Sequence, residues 1–157
     1  MLIKDIVEED FINYKLCSMF ILFPNCTFKC EQECGKKICQ NSPLTTAPSI
    51  DISPRDIVLR YINNPITKAI VFGGLEPFDS FEDMIELIDE FRKVTDDNII
   101  IYSGYTESEI YQKINQLEQY KNIYIKFGRY IPDDISRYDE ILGVTLASSN
   151  QYCERIS

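Results

Sequence analysis

Four mostly apolar runs punctuate the chain, and each ends in a loop of cysteine, glycine or serine. Ser18–Phe23 (Ser-Met-Phe-Ile-Leu-Phe) leads towards a cysteine-rich loop, and residues 69–72 run straight into Gly73-Gly74. Asn98–Tyr102 ends at Ser103-Gly104, and the alternating run Ile123–Phe127 ends at Gly128. Runs of this length predict strands, the continuous ones covered on both faces. Between them the period becomes helical. Ile57, Val58, Tyr61 and Ile62 form the stripe of a helix that Ser53-Pro54 starts and Asn63-Asn64-Pro65 stops. Phe81, Met84, Ile85, Ile88 and Phe91 line a second helix, with Ser80 and Asp83 spaced as a capping box. Thr106 and Glu109 have the same spacing before a third, striped by Ile110, Ile114 and Leu117. Residues 3–7 predict an edge strand, residues 132–138 a turn or short helix, and residues 143–146 a last strand.

Strands separated by single helices imply parallel pairing through right-handed crossovers. About five βα units fit this length, against eight in a closed barrel of roughly 250 residues. The expected fold is therefore α/β: an incomplete, TIM-like barrel with a mainly parallel sheet, forming a single domain over residues 1–157. The cysteine loop, the Gly-Gly loop and Ser103-Gly104 all follow strand C-termini, where parallel α/β architectures gather their sites.

Composition then narrows the chemistry. A net charge of −9 argues against a nucleic-acid or anionic-membrane surface. No apolar run reaches membrane-spanning length and the first residues lack a signal-peptide core, so a cytoplasmic location is expected, where clustered thiols more often bind metal than pair. The chain has no histidine, which removes His-based acid–base catalysis and mixed Cys/His zinc sites. Cys26, Cys30, Cys34 and Cys39 fall within 14 residues. They suit a four-thiolate zinc site or, with three used, a four-iron cubane whose last iron is open to a small molecule. Gly73-Gly74 either clears space for a ligand beside the backbone or is a plain βα turn. Cys17 is expected in the core, and Cys153 as a bystander near the end of the chain.

The motifs together resemble a family. Cys26-x-x-x-Cys30 after the first barrel strand and Gly73-Gly74-Leu75-Glu76-Pro77 after the second are similar to the radical S-adenosylmethionine enzymes. Within these, the chain resembles the activating proteins of anaerobic ribonucleotide reductase. Cys39-Gln-Asn41-Ser-Pro is similar to that family's Cys-His-Asn-Pro, and Tyr102-Ser103-Gly104-Tyr105-Thr106 to its Trp-Thr-Gly-Tyr-Thr. Ser148-Ser149-Asn150-Gln151 matches its Ser-Ser-Asn-Gln. The chain also departs from the pattern. Glu33 stands where the third family cysteine belongs; Cys34 is one residue late, whereas Cys39, six late, follows the apolar Ile38. The family's Asp-Gly is Phe127-Gly128 here, and Ala147 replaces a glycine.

The resemblance implies a 4Fe-4S cluster on Cys26, Cys30 and Cys39, with residues 31–38 an insertion carrying Cys34 as a spare or conditional ligand. It implies S-adenosylmethionine as cofactor, its amino end held by Gly73, Gly74, Glu76 and Pro77, with Ser103 and Gly104 near the ribose or methionine portion. The activity implied is that of a radical oxidoreductase. One electron breaks the C5′–S bond, and the resulting 5′-deoxyadenosyl radical takes hydrogen from a glycine of an anaerobic ribonucleoside-triphosphate reductase. The implied electron donor is of flavodoxin or ferredoxin type, and no catalytic side chain is expected beyond the cluster. Two alternatives stay open: a radical enzyme acting on a small molecule, and a non-enzymatic interaction module that binds zinc through four cysteines.

Overall fold

The computed structural model describes residues 1–157. Its strands and helices follow the chain as β1 (Leu2–Ile3), β2 (Asp5–Asp10), β3 (Ser18–Phe23), α1 (Lys29–Cys34), β4 (Ile50–Asp51), α2 (Pro54–Asn63) and β5 (Ala69–Gly74). They continue as α3 (Phe81–Arg92), β6 (Asn98–Tyr102), α4 (Glu107–Leu117), β7 (Ile123–Phe127), β8 (Arg137–Asp139), β9 (Val144–Leu146) and β10 (Tyr152–Arg155). A six-stranded sheet runs β10-β7-β6-β5-β3-β2. The inner strands β3, β5, β6 and β7 are parallel, and the edge strands β2 and β10 are antiparallel to them. Each parallel strand lies beside its predecessor, so the order never reverses as it does in a doubly wound sheet.

Alternating side chains give the sheet two different faces. On one face Ile21, Phe72, Ile101 and Ile125 pack with Ile57 of α2, Ile88 of α3 and Ile114 of α4 in the larger core. On the other, Val71, Ile100 and Cys153 pack with Tyr14, Leu142 and Leu146. Helices thus cover one face, and loops together with β9 cover the other. Cys153 is a core residue rather than a bystander, and Cys17 is only half-buried. No helix is long and apolar enough to cross a membrane.

Two helix starts form as their sequences predict. Ser53 Oγ accepts from the Asp56 N–H (3.1 Å), and the Thr106 N–H donates to Glu109 Oε2 (2.9 Å). Ser80 does not cap α3; its hydroxyl accepts from Asn25 Nδ2 (2.9 Å), and a 3-10 turn, Pro77–Ser80, leads into the helix instead. The sheet also differs from the expected five units, because it holds four parallel strands. The strand at the C-terminal side, β9, pairs with β8 in a separate hairpin. Gly143, at φ +73°, and Asp139, whose Oδ1 accepts from the Leu142 N–H (2.9 Å), turn the chain back there. The sheet edge is filled instead by β10, antiparallel to β7. The predicted first strand is split at Lys4 into β1, which pairs with β4, and β2.

Candidate functional site

The C-terminal ends of all four parallel strands open on one cavity of about 400 Å³. Cys26, Cys30 and Cys39 line it from the chain leaving β3, Gly74 and Glu76 from β5, Ser103 and Gly104 from β6, and Lys126 and Arg129 from β7. A few hundred cubic ångströms hold a small organic ligand.

The cysteine loop contains an unpredicted helix, α1, bounded by Phe28 and Gly35, both at positive φ. Cys30 lies on it facing the cavity, and Cys34 ends it, exposed and outside the cavity, with its Sγ 3.3 Å from the Lys36 carbonyl. Beyond the helix the chain returns, and the Cys39 N–H donates to Glu31 Oε1 (3.1 Å). Asn41 Nδ2 then donates to the Gly74 carbonyl (2.8 Å), tying the cysteine loop to the Gly-Gly loop. Burial pushes the Cys26 thiol up to about 12 and raises Cys30 as well, with Cys39 the next cause at Cys30. Metal binding at such thiols must displace their protons.

Glu76 is the buried knot between two strand exits. Its Oε1 accepts from the Phe78 N–H (3.2 Å) and Ser103 Oγ (2.9 Å), and its Oε2 from the Gly104 N–H (2.8 Å). Burial raises the carboxyl to about 7, against the pull of these three donors. Lys126, on β7, is buried too; its Nζ donates to the Gly128 carbonyl (2.9 Å) and lies 3.4 Å from that of Ser103. Burial lowers it to about 8, with the charge of Glu76 opposing. Sequence reasoning missed Lys126. Its signal was a lysine inside the otherwise apolar Ile-Tyr-Ile-Lys-Phe.

The two glycines of Gly73-Gly74 serve the sheet. A Cβ at Gly73 would meet the Phe20 ring at 2.8 Å, and one at Gly74, where φ is +86°, would lie 2.9 Å from Leu22 Cα. Gly74 lines the cavity, but neither glycine is one merely to clear a path for a ligand. Gly73 and Pro77 do not line it; Pro77 opens the 3-10 turn. Gly104 is different. Its φ is not left-handed, and an added Cβ would stand among cavity residues at ordinary distances, 3.7 Å from Glu76 Oε2 and 3.8 Å from Arg129 Cγ.

Residues 148–151 brace the exit of β7. Gln151 Nε2 donates to the Gly128 carbonyl (3.2 Å), Asn150 Nδ2 to that of Arg129 (3.0 Å), and Ser148 Oγ accepts from the Ile131 N–H (3.0 Å). Gly128, at φ +97°, lets them close: a Cβ there would sit 2.9 Å from the Asn150 carbonyl.

The profile of the 4Fe-4S single cluster domain matches residues 15–151, from just before β3 through this brace. The chain belongs to that family. Searches of curated proteins and of solved structures gave no match. Membership makes the chain an iron–sulfur protein, consistent with an oxidoreductase, and the donor set fits a 4Fe-4S domain: three thiols share one cavity wall. No three Cys, Asp or Glu side chains are grouped as ligands of a single ion. A cubane takes one thiolate on each of several irons and so accepts thiols set wider apart.

Proposed function

We propose that this 4Fe-4S protein is a radical S-adenosylmethionine activase that generates a glycyl radical on an anaerobic ribonucleoside-triphosphate reductase. In this reading Cys26, Cys30 and Cys39 hold the cluster and Cys34 does not. S-adenosylmethionine occupies the cavity, and a flavodoxin- or ferredoxin-type protein delivers the electron. The observation that carries the reading is the meeting, in one cavity, of three thiols with Gly74, Glu76, Ser103 and Gly104, the residues of the two other family-like motifs. The unreversed strand order with helices on one face supports reading the sheet as part of a barrel.

When bound, the cluster supplies the single electron that cleaves S-adenosylmethionine reductively. The chain's own residues bind and orient. Glu76 fixes the Ser103-Gly104 backbone against the β5 exit. Lys126, with two carbonyls near its ammonium and no ion pair, keeps a donor for an anionic group such as a carboxylate. Phe20, Leu75 and Val144 give the cavity an apolar stretch of wall against which the apolar parts of a ligand would pack.

The deciding experiment mixes reduced protein, S-adenosylmethionine and the reductase from the same source without oxygen, followed by electron paramagnetic resonance. A glycine-centred doublet is expected, and it should vanish with Cys26→Ala. Cleavage of S-adenosylmethionine with no radical on an active reductase would point to a small-molecule substrate. One zinc bound stoichiometrically by four cysteines would replace the enzyme with a binding module. Gly104→Val tests the cavity separately. Its Cβ meets Glu76 and Arg129 only at ordinary contact distance, at a φ that is not left-handed, so thermal stability should stay near that of the wild type while S-adenosylmethionine binds at least about tenfold more weakly by titration. Wild-type affinity in that folded variant removes the ligand from the cavity.

A further inference from the structure

The helix that carries Cys30 has almost nothing to hold it. Helix α1 spans six residues, buries none of them, and has no side-chain N-cap. A helix this short is not stable by propensity alone. Two local bonds, Gln32 Nε2 to the Thr27 carbonyl (2.7 Å) and the Cys39 N–H to Glu31, tie it to its own loop, and what grips it to the rest of the fold is charge. Arg129 makes a two-pronged pair with Glu109, Nη1 to Oε2 at 2.8 Å and Nη2 to Oε1 at 2.6 Å. Lys29, the first residue of α1, reaches the same Glu109 carboxylate (3.3 Å), and Glu33, near the end of α1, lies 3.4 Å from Arg129 Nε. That Nε is buried and has no hydrogen-bond partner of its own. Both cations also stand over the Tyr105 ring, Lys29 at 4.8 Å and Arg129 at 5.9 Å. The Tyr105 hydroxyl is bound to Asp79 (2.6 Å), which in turn accepts from the Thr27 N–H (2.7 Å) just before the helix.

Exposed ion pairs contribute little, but this one is an exception in kind. The Arg129 side chain is 11% exposed and Glu109 27%, and a planar guanidinium meeting a carboxylate on two bonds is the strong form of the contact. Arg129 holds the Glu109 carboxyl well below the usual carboxylate range. The group is also in the right place for the metal. Arg129, Lys29 and Tyr105 line a second, small pocket together with Cys26 and Cys30, and Arg129 lines the main cavity as well.

We propose that Arg129 is a positioning residue for the iron–sulfur cluster: it latches α1 through Glu109 and Glu33 before metal arrives, and its charge offsets that of the thiolate-bound cluster. The proposal rests on family membership and on the proposed placing of the cluster at Cys26 and Cys30, and not on the radical chemistry. Net charge near an iron–sulfur cluster is one of the levers on its potential. A cation nearby favours the reduced, more negative state, so its loss makes the potential more negative.

The test uses the full chain as wild type, Arg129→Ala, Arg129→Lys and Glu109→Gln. Metal-free samples are followed by amide hydrogen exchange, and samples reconstituted with iron and sulfide by redox titration with spin-resonance detection. In Arg129→Ala the amides of Glu31, Gln32 and Gly35, which close the α1 turn, should exchange at least about tenfold faster, equivalent to about 1.4 kcal/mol of local opening. Its midpoint potential should move negative. Arg129→Lys keeps the charge and loses the fork, so exchange rises while the potential stays near wild type. Glu109→Gln leaves the guanidinium paired with Glu33 alone, adds a net positive charge beside the cluster and should move the potential the opposite way, which decides the matter if Arg129→Ala does not fold. Unchanged exchange or an unchanged potential in a folded, loaded Arg129→Ala overturns the proposal, as does a negative shift in Glu109→Gln.

Discussion

Alanine at Cys39 should abolish cluster binding, whereas alanine at Cys34 should leave it intact. Spacing alone sets the two against each other, since Cys34 is the nearer in sequence to the expected third position. Three-dimensional placement separates them. Cys39 lines the cavity with Cys26 and Cys30, held there by its N–H on Glu31 and by Asn41 on the Gly74 carbonyl. Cys34 ends an exposed helix on the far side of Gly35, and its sulfur faces the Lys36 carbonyl rather than the cavity. Bringing it inward would unwind the helix that positions Cys30. Removing one of three thiolates from a cubane leaves two irons without protein ligands, so Cys39→Ala should retain less than about a tenth of wild-type iron and sulfide. The measurement is iron and sulfide per chain, with the visible absorption, after anaerobic reconstitution. Iron kept in Cys39→Ala and lost in Cys34→Ala transfers the third position to Cys34.

Legibility in the sequence followed how local each determinant is. The apolar runs Ser18–Phe23, Asn98–Tyr102 and Ile123–Phe127 are strands with those bounds, because burial on both faces leaves a continuous or alternating apolar signature. Ser53-Pro54 and Thr106/Glu109 start helices because their partners lie within one turn. Ser80 carries the same signal, but its hydroxyl is taken by Asn25, 55 residues away, and no local pattern reports that. Helix α1 was invisible because it buries nothing, so no apolar period marks it. Strand β8 is three residues, too short for a pattern, and falls where a turn or short helix was expected, whereas β9 lies inside the predicted strand 143–146 but pairs in a hairpin rather than in the sheet. In the site, the motifs named Gly74, Glu76, Ser103 and Gly104 as neighbours, and they are. What motifs do not carry is direction: Gly73 faces the Phe20 ring, Pro77 starts a turn, and residues 148–151 face the β7 exit. Lys126 gained its meaning only when the carbonyls of Ser103 and Gly128 met over it.

Glu76→Ala should destabilise the metal-free protein by about 3 kcal/mol. The carboxylate is the acceptor for three donors, the N–H groups of Phe78 and Gly104 and the Ser103 hydroxyl, and it is 6% exposed. Each buried donor left without an acceptor costs about 1–3 kcal/mol, which summed over three exceeds the figure. Two effects reduce it. Water can reach part of the vacated space from the cavity, and removing the carboxylate also removes the burial penalty that raises it to about 7. The net loss should lower Tm by about 6–12 °C for a chain of this size, read by thermal unfolding with a coincidence check between two probes. Glu76→Gln is the informative partner. Its amide oxygen can still serve Ser103 and Phe78, but its NH2 would face the Gly104 N–H, donor against donor, so roughly 1 kcal/mol should be lost. If Glu76→Ala proves no less stable than the wild type, the carboxylate is not what joins the β5 and β6 exits. Its place in the wall would then be owed to the ligand alone, and the weakening of S-adenosylmethionine binding in Glu76→Gln should exceed that in Gly104→Val.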